Sequence, residues 1–183
     1  MTVSREQIVT RAIKHLNQAP AASMAEIAQA AGVHRATLHR HFATREELII
    51  ALGWRAHEAW QRVHDEIGLD AALRTGERVE ETLHALLVAH IEVAEEHGFA
   101  LTEHLVGINP ELVRRAEELE AREIELIEAC QRAGVLRADL PPRWVSNTVY
   151  GLLVAARESL RRGDVARRDT PRLLLETFLR GTS

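Results

Sequence analysis

Residues 23–48 read SMAEIAQAAGVHRATLHRHFATREEL, and the fold turns on this stretch. Ser23 and Glu26 stand at the spacing of a capping box, in which a hydroxyl and a carboxylate each accept a backbone N–H at the start of a helix. Ile27, Ala28 and Ala31 follow at helical spacing, and Gly32 supplies the residue best suited to a left-handed helix end. Ala30 and Ala31 keep this helix slim, so a second helix can cross it closely, and Val33 plugs the corner. The second helix is expected over His34 to His41, with Leu38 and Phe42, four residues apart, as its inward stripe. Thr44 and Glu47 repeat the capping spacing and open the next helix.

Two short helices around a glycine corner form a helix-turn-helix, a motif that lays its second helix in a DNA major groove. The outward residues of that helix are His34, Arg35, Thr37, His39, Arg40 and His41. All are hydrogen-bond donors and none has a long apolar body to hide. Such a face suits phosphates and base edges better than another protein's core.

Working outward, Ser4 and Gln7 form an earlier capping box ahead of Ile8, Ala12 and Leu16, and Pro20 stops that helix. The helix opened by Thr44 meets no breaker before Gly68, so no flexible linker is expected behind the motif. Further helices are expected at about 77–97, about 99–106, from Asn109-Pro110 to Gly134, from Pro141-Pro142 to Gly163, and from Thr170-Pro171 to Gly181. The expected fold is all-α with about nine helices. It consists of an N-terminal three-helix helix-turn-helix domain over residues 1–47 and a C-terminal helical domain over residues 48–183.

Composition agrees. Aromatic residues make up only 4 %, and the helix formers Ala, Leu, Glu and Arg dominate. The net charge of −4 gives no reason by itself to expect nucleic acid. The charge is uneven, however: Arg5, Arg11, Lys14, Arg35, Arg40 and Arg45 face only Glu6, Glu26, Glu46 and Glu47 within residues 1–50. A mildly basic head therefore precedes an acidic body. Cys130 is the single cysteine, which excludes an intrachain disulfide and a Cys-rich zinc site. The N-terminus has no apolar signal-peptide core and no apolar run reaches membrane-spanning length, so a cytoplasmic location without membrane contact is expected. No Gly-rich phosphate loop, nucleophile elbow or Ser/His/Asp constellation is present, and neither an enzyme nor a cofactor is expected.

The run GVHRATLHRHFATREEL, residues 32–48, resembles the DNA-binding signature of the TetR family of transcriptional regulators. Gly-Val, a Thr-Leu pair and His-Phe recur in that family at this spacing. The resemblance is close over about residues 5–52 and extends to helix number and length beyond. It implies a homodimer that binds a palindromic operator in double-stranded DNA, its two recognition helices about 34 Å apart. It further implies a repressor whose C-terminal domain dimerises and binds a small-molecule effector that releases the DNA. Carried over residue by residue, phosphate contacts fall on Thr37, His41 and Arg45, with Ser23 donating at the start of the preceding helix and Thr44 beside Arg45. Base-reading positions fall on His34, Arg35 and Ala36. His39 stands where the family usually has a Tyr that touches the DNA backbone, and its reach is shorter.

The dimer seam is expected on the last two long helices. Val145, Val149, Leu152, Leu153 and Ala156 form one stripe and Leu174 and Phe178 the second, the alternative being that both pack inside one subunit. Trp60, Phe99, Leu105, Trp144 and Tyr150 are the candidate ligand contacts, as large apolar faces near expected helix crossings. A rival reading is a helical-bundle metal carrier or small enzyme without DNA binding, suggested by ten histidines and by Glu81 and His84 at the spacing used in di-iron bundles. That site needs a second Glu-x-x-His pair. None occurs, so no metal is expected.

Overall fold

The computed structural model describes residues 3–101, 103, 106, 107 and 109–182. Among these residues the chain forms nine α-helices and no strand: α1 (Arg5–Gln18), α2 (Met24–Ala31), α3 (Arg35–His41), α4 (Arg45–Glu66), α5 (Leu69–Thr75), α6 (Val79–Glu96), α7 (Pro110–Arg132), α8 (Pro142–Arg162) and α9 (Thr170–Thr182). Single 3-10 turns lie at Gly98–Leu101 and Arg167–Asp169. The all-α expectation holds, and most ends fall where the caps and breakers put them. The short helix α5 has no counterpart among the expected helices. Where a helix is expected over about 99–106, the described residues show the 3-10 turn at Gly98–Leu101 and helical Val106 and Gly107.

The start signals operate as local chemistry dictates. The Ser4 hydroxyl accepts from the Gln7 N–H and the Gln7 side chain accepts from the Ser4 N–H; Ser23 and Glu26 do the same for α2. At α4 the box is displaced by one residue: Thr44 Oγ1 accepts from the Glu47 N–H at 3.1 Å, but the Glu47 carboxylate accepts from the Ala43 N–H at 2.8 Å. Each cap satisfies backbone donors that a helix start leaves without partners, at a gain of about 1 kcal/mol.

The chain packs as two compact units, one made of Met1–Glu58 with Glu95–Arg114, the other of Ala59–Ala94 with Arg115–Ser183. The division differs from the expected one at residue 47, and the core of the first unit explains why. Ile8, Leu16, Ile27, Leu38 and Phe42 are joined there by Leu48, Ile49 and Leu52 of α4 and by Phe99, Val106 and Leu112. Asn17 fixes that second segment: its Nδ2 donates to the Glu95 and Glu96 carbonyls at 3.1 and 2.7 Å, and its Oδ1 accepts from the Phe99 N–H at 2.9 Å. Gly53 lets α4 come close to Leu112, since a Cβ there would lie 2.8 Å from Leu112 Cδ1.

In the second unit the inward faces of α6, α7, α8 and α9 supply the core, including Leu83, Leu87, Leu119, Leu126, Val145, Val149, Leu153, Leu174 and Phe178. The Arg137 N–H donates to the Thr182 carbonyl at 2.7 Å and so anchors the last helix. Burial of each large aliphatic or aromatic side chain contributes about 1.5–3 kcal/mol.

Candidate functional site

In the first unit, α2 ends at Gly32, whose φ of 69° is the left-handed value that a side chain disfavours. Arg11 on α1 donates to the Ala31 carbonyl at 2.6 Å and closes the corner from outside. Leu38 and Phe42 are 0 % and 1 % exposed, so α3 is pinned on its inner side. The Arg5 guanidinium lies 4.7 Å above the Phe42 ring, a cation–π contact that adds to the pinning. His34 is the N-cap of α3 and makes no capping bond with its side chain. Together with Arg35, Ala36, Arg40 and Thr44 it is exposed, while Thr37, His39, His41 and Arg45 are half-buried.

The outward residues differ in what they have left to offer a duplex. Arg35 Nε donates to His39 Nε2 at 3.3 Å and His39 Nδ1 lies 3.3 Å from the Ala43 carbonyl, so both ring nitrogens of His39 are engaged within the motif. His41 Nε2 is enclosed without a hydrogen-bond partner. Ser23 gives its hydroxyl proton to Glu26 Oε2 at 2.7 Å, within its own capping box. These bonds hold the Glu26 carboxyl below the usual carboxylate range. Thr44 accepts from Glu47 and keeps its own proton to donate. Arg45 donates to the Pro20 carbonyl at 3.0 Å and pairs with Glu103 at 3.8 Å.

The residues expected to line a ligand site differ in their surroundings. Phe99 is 2 % exposed in the core of the first unit, Trp144 is 63 % and Tyr150 50 % exposed, and Leu105 lies outside the described residues. Trp60 alone points into the interior of the second unit, where its indole N–H donates to Glu123 Oε1. His64 Nε2 and His90 Nε2 lie 2.8 and 2.7 Å from that same oxygen. Burial pushes the Glu123 carboxyl upward, but the charge of His90 and the bonds from His64, His90 and Trp60 outweigh it and hold the group at about 2. Beside this cluster lies a cleft of about 550 Å3 whose lining mixes charged groups such as Asp70, Arg74, Arg115 and Arg122 with apolar surface that includes Ala71 and Leu119, and which His64 also lines. Sequence reasoning found none of this cleft. His64 and Glu123 carried no signal because their partners sit on other helices.

Most of the expected dimer stripe lies in the core of one subunit. Val145, Val149, Leu153, Leu174 and Phe178 are all under 9 % exposed within the second unit, and Leu152 and Ala156 are half-buried. The helical stripe that the sequence advertises is the inner face of α8 and α9, because core packing and dimer packing leave the same apolar periodicity. Cys130 is fully buried and donates to the Val79 carbonyl; burial, aided by the nearby Glu80 charge, pushes its thiol up to about 12. It is an inert core residue rather than a reactive thiol.

A capped corner followed by a pinned, donor-bearing helix defines a helix-turn-helix protein. The profile of bacterial regulatory proteins of the tetR family matches residues 17–52, the segment that holds this corner. Over that segment the chain is similar to the TetR family. It is 26 % identical over 160 residues to the HTH-type transcriptional repressor LfrR of Mycolicibacterium smegmatis, covering 87 % of this chain and 80 % of that protein. It is 28 % identical over 167 residues to the HTH-type transcriptional regulator NfxB of Pseudomonas aeruginosa, covering 90 % and 86 %. The crystal structure of LfrR in complex with proflavine superposes with a TM-score of 0.75 at 23 % identity, covering 95 % of this chain and 93 % of that one. The structure of AibR in complex with isovaleryl coenzyme A and operator DNA superposes with a TM-score of 0.72 at 16 % identity, covering 95 % of each.

Proposed function

We propose that this protein is a transcriptional repressor that binds a palindromic operator as a homodimer and releases it when a small-molecule effector occupies the second unit. It acts in the cytoplasm, where bacterial DNA lies, and catalyses no reaction. The observation that carries the reading is the exposed start of α3, where His34, Arg35 and Ala36 stand clear of the surface on a helix pinned by Leu38 and Phe42. Among the described residues no helix is long and apolar enough to cross a membrane.

In this reading Arg35 and His34 meet base edges, and Ala36 gives the close approach that an apolar contact to a thymine methyl requires. Thr37, Thr44 and Arg45 hold phosphates, with the phosphate taking the place of Glu103 as partner of Arg45. The dimer seam lies on the outer faces of α8 and α9: Trp144, Gly151 and Ala155 share one exposed face of α8, and Leu173 is exposed on α9. An exposed Trp beside small residues is what close packing of two copies needs. Helix α4 is unbroken from Arg45 to Glu66, so an effector that moves its second half also moves Arg45. The effect on DNA affinity is bounded by the effector's preference between the two states, about 1–3 kcal/mol.

The test is selection of bound duplexes from a random-sequence pool, followed by mobility shifts at several salt concentrations. A two-fold symmetric sequence is expected, and Arg35→Ala is expected to weaken discrimination at one position in each half-site by about 1–3 kcal/mol. Absence of affinity for any duplex at low salt would overturn the reading.

A further inference from the structure

The interior of the second unit brings together three metal-binding side chains from three helices: His64 of α4, His90 of α6 and Glu123 of α7. Their candidate ligand atoms all lie within 4.8 Å of one another, and the residues are 5 %, 6 % and 7 % exposed. One carboxylate oxygen, Glu123 Oε1, faces Nε2 of both imidazoles and the indole N–H of Trp60. Taking an ionised carboxylate out of water is costly, and a core that needed only apolar packing would not retain it.

Two imidazoles and a carboxylate are also a donor set that holds Zn2+ with one coordination position open. Bonds of roughly 2.1 Å at tetrahedral angles separate ligand atoms by about 3.4 Å. The observed separations of 2.7 and 2.8 Å therefore need to open by about 0.6–0.7 Å, within reach of side-chain rotation. The surroundings supply what a metal site requires beyond its ligands. The Trp60 N–H orients the carboxylate, and its ring meets His64 and His90 edge-on with centroids 6.3 and 5.9 Å away, which fixes both imidazole planes. His64 also lines the 550 Å3 cleft, which gives an ion a path from solvent. The pair singled out in the sequence, Glu81 and His84, is not part of this cluster.

We infer that His64, His90 and Glu123 form a site for one first-row divalent transition-metal ion of the Zn2+ kind, its remaining position left to water or to a donor atom of an effector. Nitrogen and carboxylate donors suit Zn2+, Co2+ and Ni2+ and disfavour Mg2+ and Ca2+. The ion would tie the second half of α4 to α6 and α7, where the hydrogen bonds now tie them.

Full-length protein, stripped with a chelator and dialysed, is titrated with Zn2+ alone and with Co2+ as an optical reporter. Saturation at one equivalent per chain is expected, with visible Co2+ absorption of low-coordinate intensity and a rise in melting temperature. Glu123→Gln, checked for helix content by circular dichroism, is expected to bind more than about 100-fold more weakly. Trp60→Phe keeps all three ligands and an apolar ring, and is expected to bind about 10-fold more weakly. The inference is overturned if the wild type takes up no ion, or if wild type, Glu123→Gln and His64→Gln bind it alike. Mobility shifts on the same samples separate this from the DNA reading, because duplex affinity that survives without metal uptake removes the metal site alone.

Discussion

The two units use the same side-chain chemistry in opposite places. On α3 the imidazole of His34 and the guanidinium of Arg35 stand in water over a pinned apolar stripe, whereas His64, His90 and Glu123 are buried against one another in the second unit. A polar group at the surface keeps its hydration in the free protein and exchanges it for a partner later, so it acts on binding and hardly on stability. A polar group in the core has lost its water on folding and depends on its neighbours. The first arrangement leaves its donors exposed to a partner; the second ties three helices together.

The comparison can be broken by substitution. Phe42→Ala empties the centre of the first unit's core and should cost about 3–5 kcal/mol in chemical denaturation, with DNA binding lost as the motif loosens. Glu123→Ala leaves two imidazoles and an indole N–H facing a void, and a loss of about 3–5 kcal/mol is expected, smaller where water fills the space. A cost under about 1 kcal/mol there would mean the buried network is not coupled as its geometry indicates. Gly32→Ala places a side chain at positive φ and 3.0 Å from Arg11 Nη1; about 1–2 kcal/mol is expected from thermal melting. Arg45→Ala should change stability by less than about 0.5 kcal/mol, since its ion pair with Glu103 is partly exposed. It should nevertheless lower the salt slope of duplex binding by about one unit per site, measured by titration across salt concentrations. A slope unchanged from wild type would remove Arg45 from the phosphate contacts.

What could be read early was whatever lies within one or two helical turns. Ser4 with Gln7, Ser23 with Glu26, Gly32, and Leu38 with Phe42 are pairs or single residues whose partners are three or four positions away, so spacing alone discloses the bond or the contact. The same locality misled where one pattern serves two purposes. Val145, Val149, Leu153, Leu174 and Phe178 form apolar stripes, but a stripe does not say whether it packs inward or against a second copy. Trp144 and Tyr150 have the bulk for a ligand pocket, yet they lie at the surface because the helix turns them away from the core.

The amino-acid order by itself determined an all-helical chain, the corner between α2 and α3, and the donor face of α3, because caps, breakers and four-residue periodicities act through the backbone nearby. Only the tertiary structure decided that residues 95–114 complete the first unit, that the stripes of α8 and α9 are core, and that His64, His90 and Glu123 converge on one oxygen. Those three stand on different helices, and their meeting depends on how α4, α6 and α7 pack, which no spacing along the chain encodes.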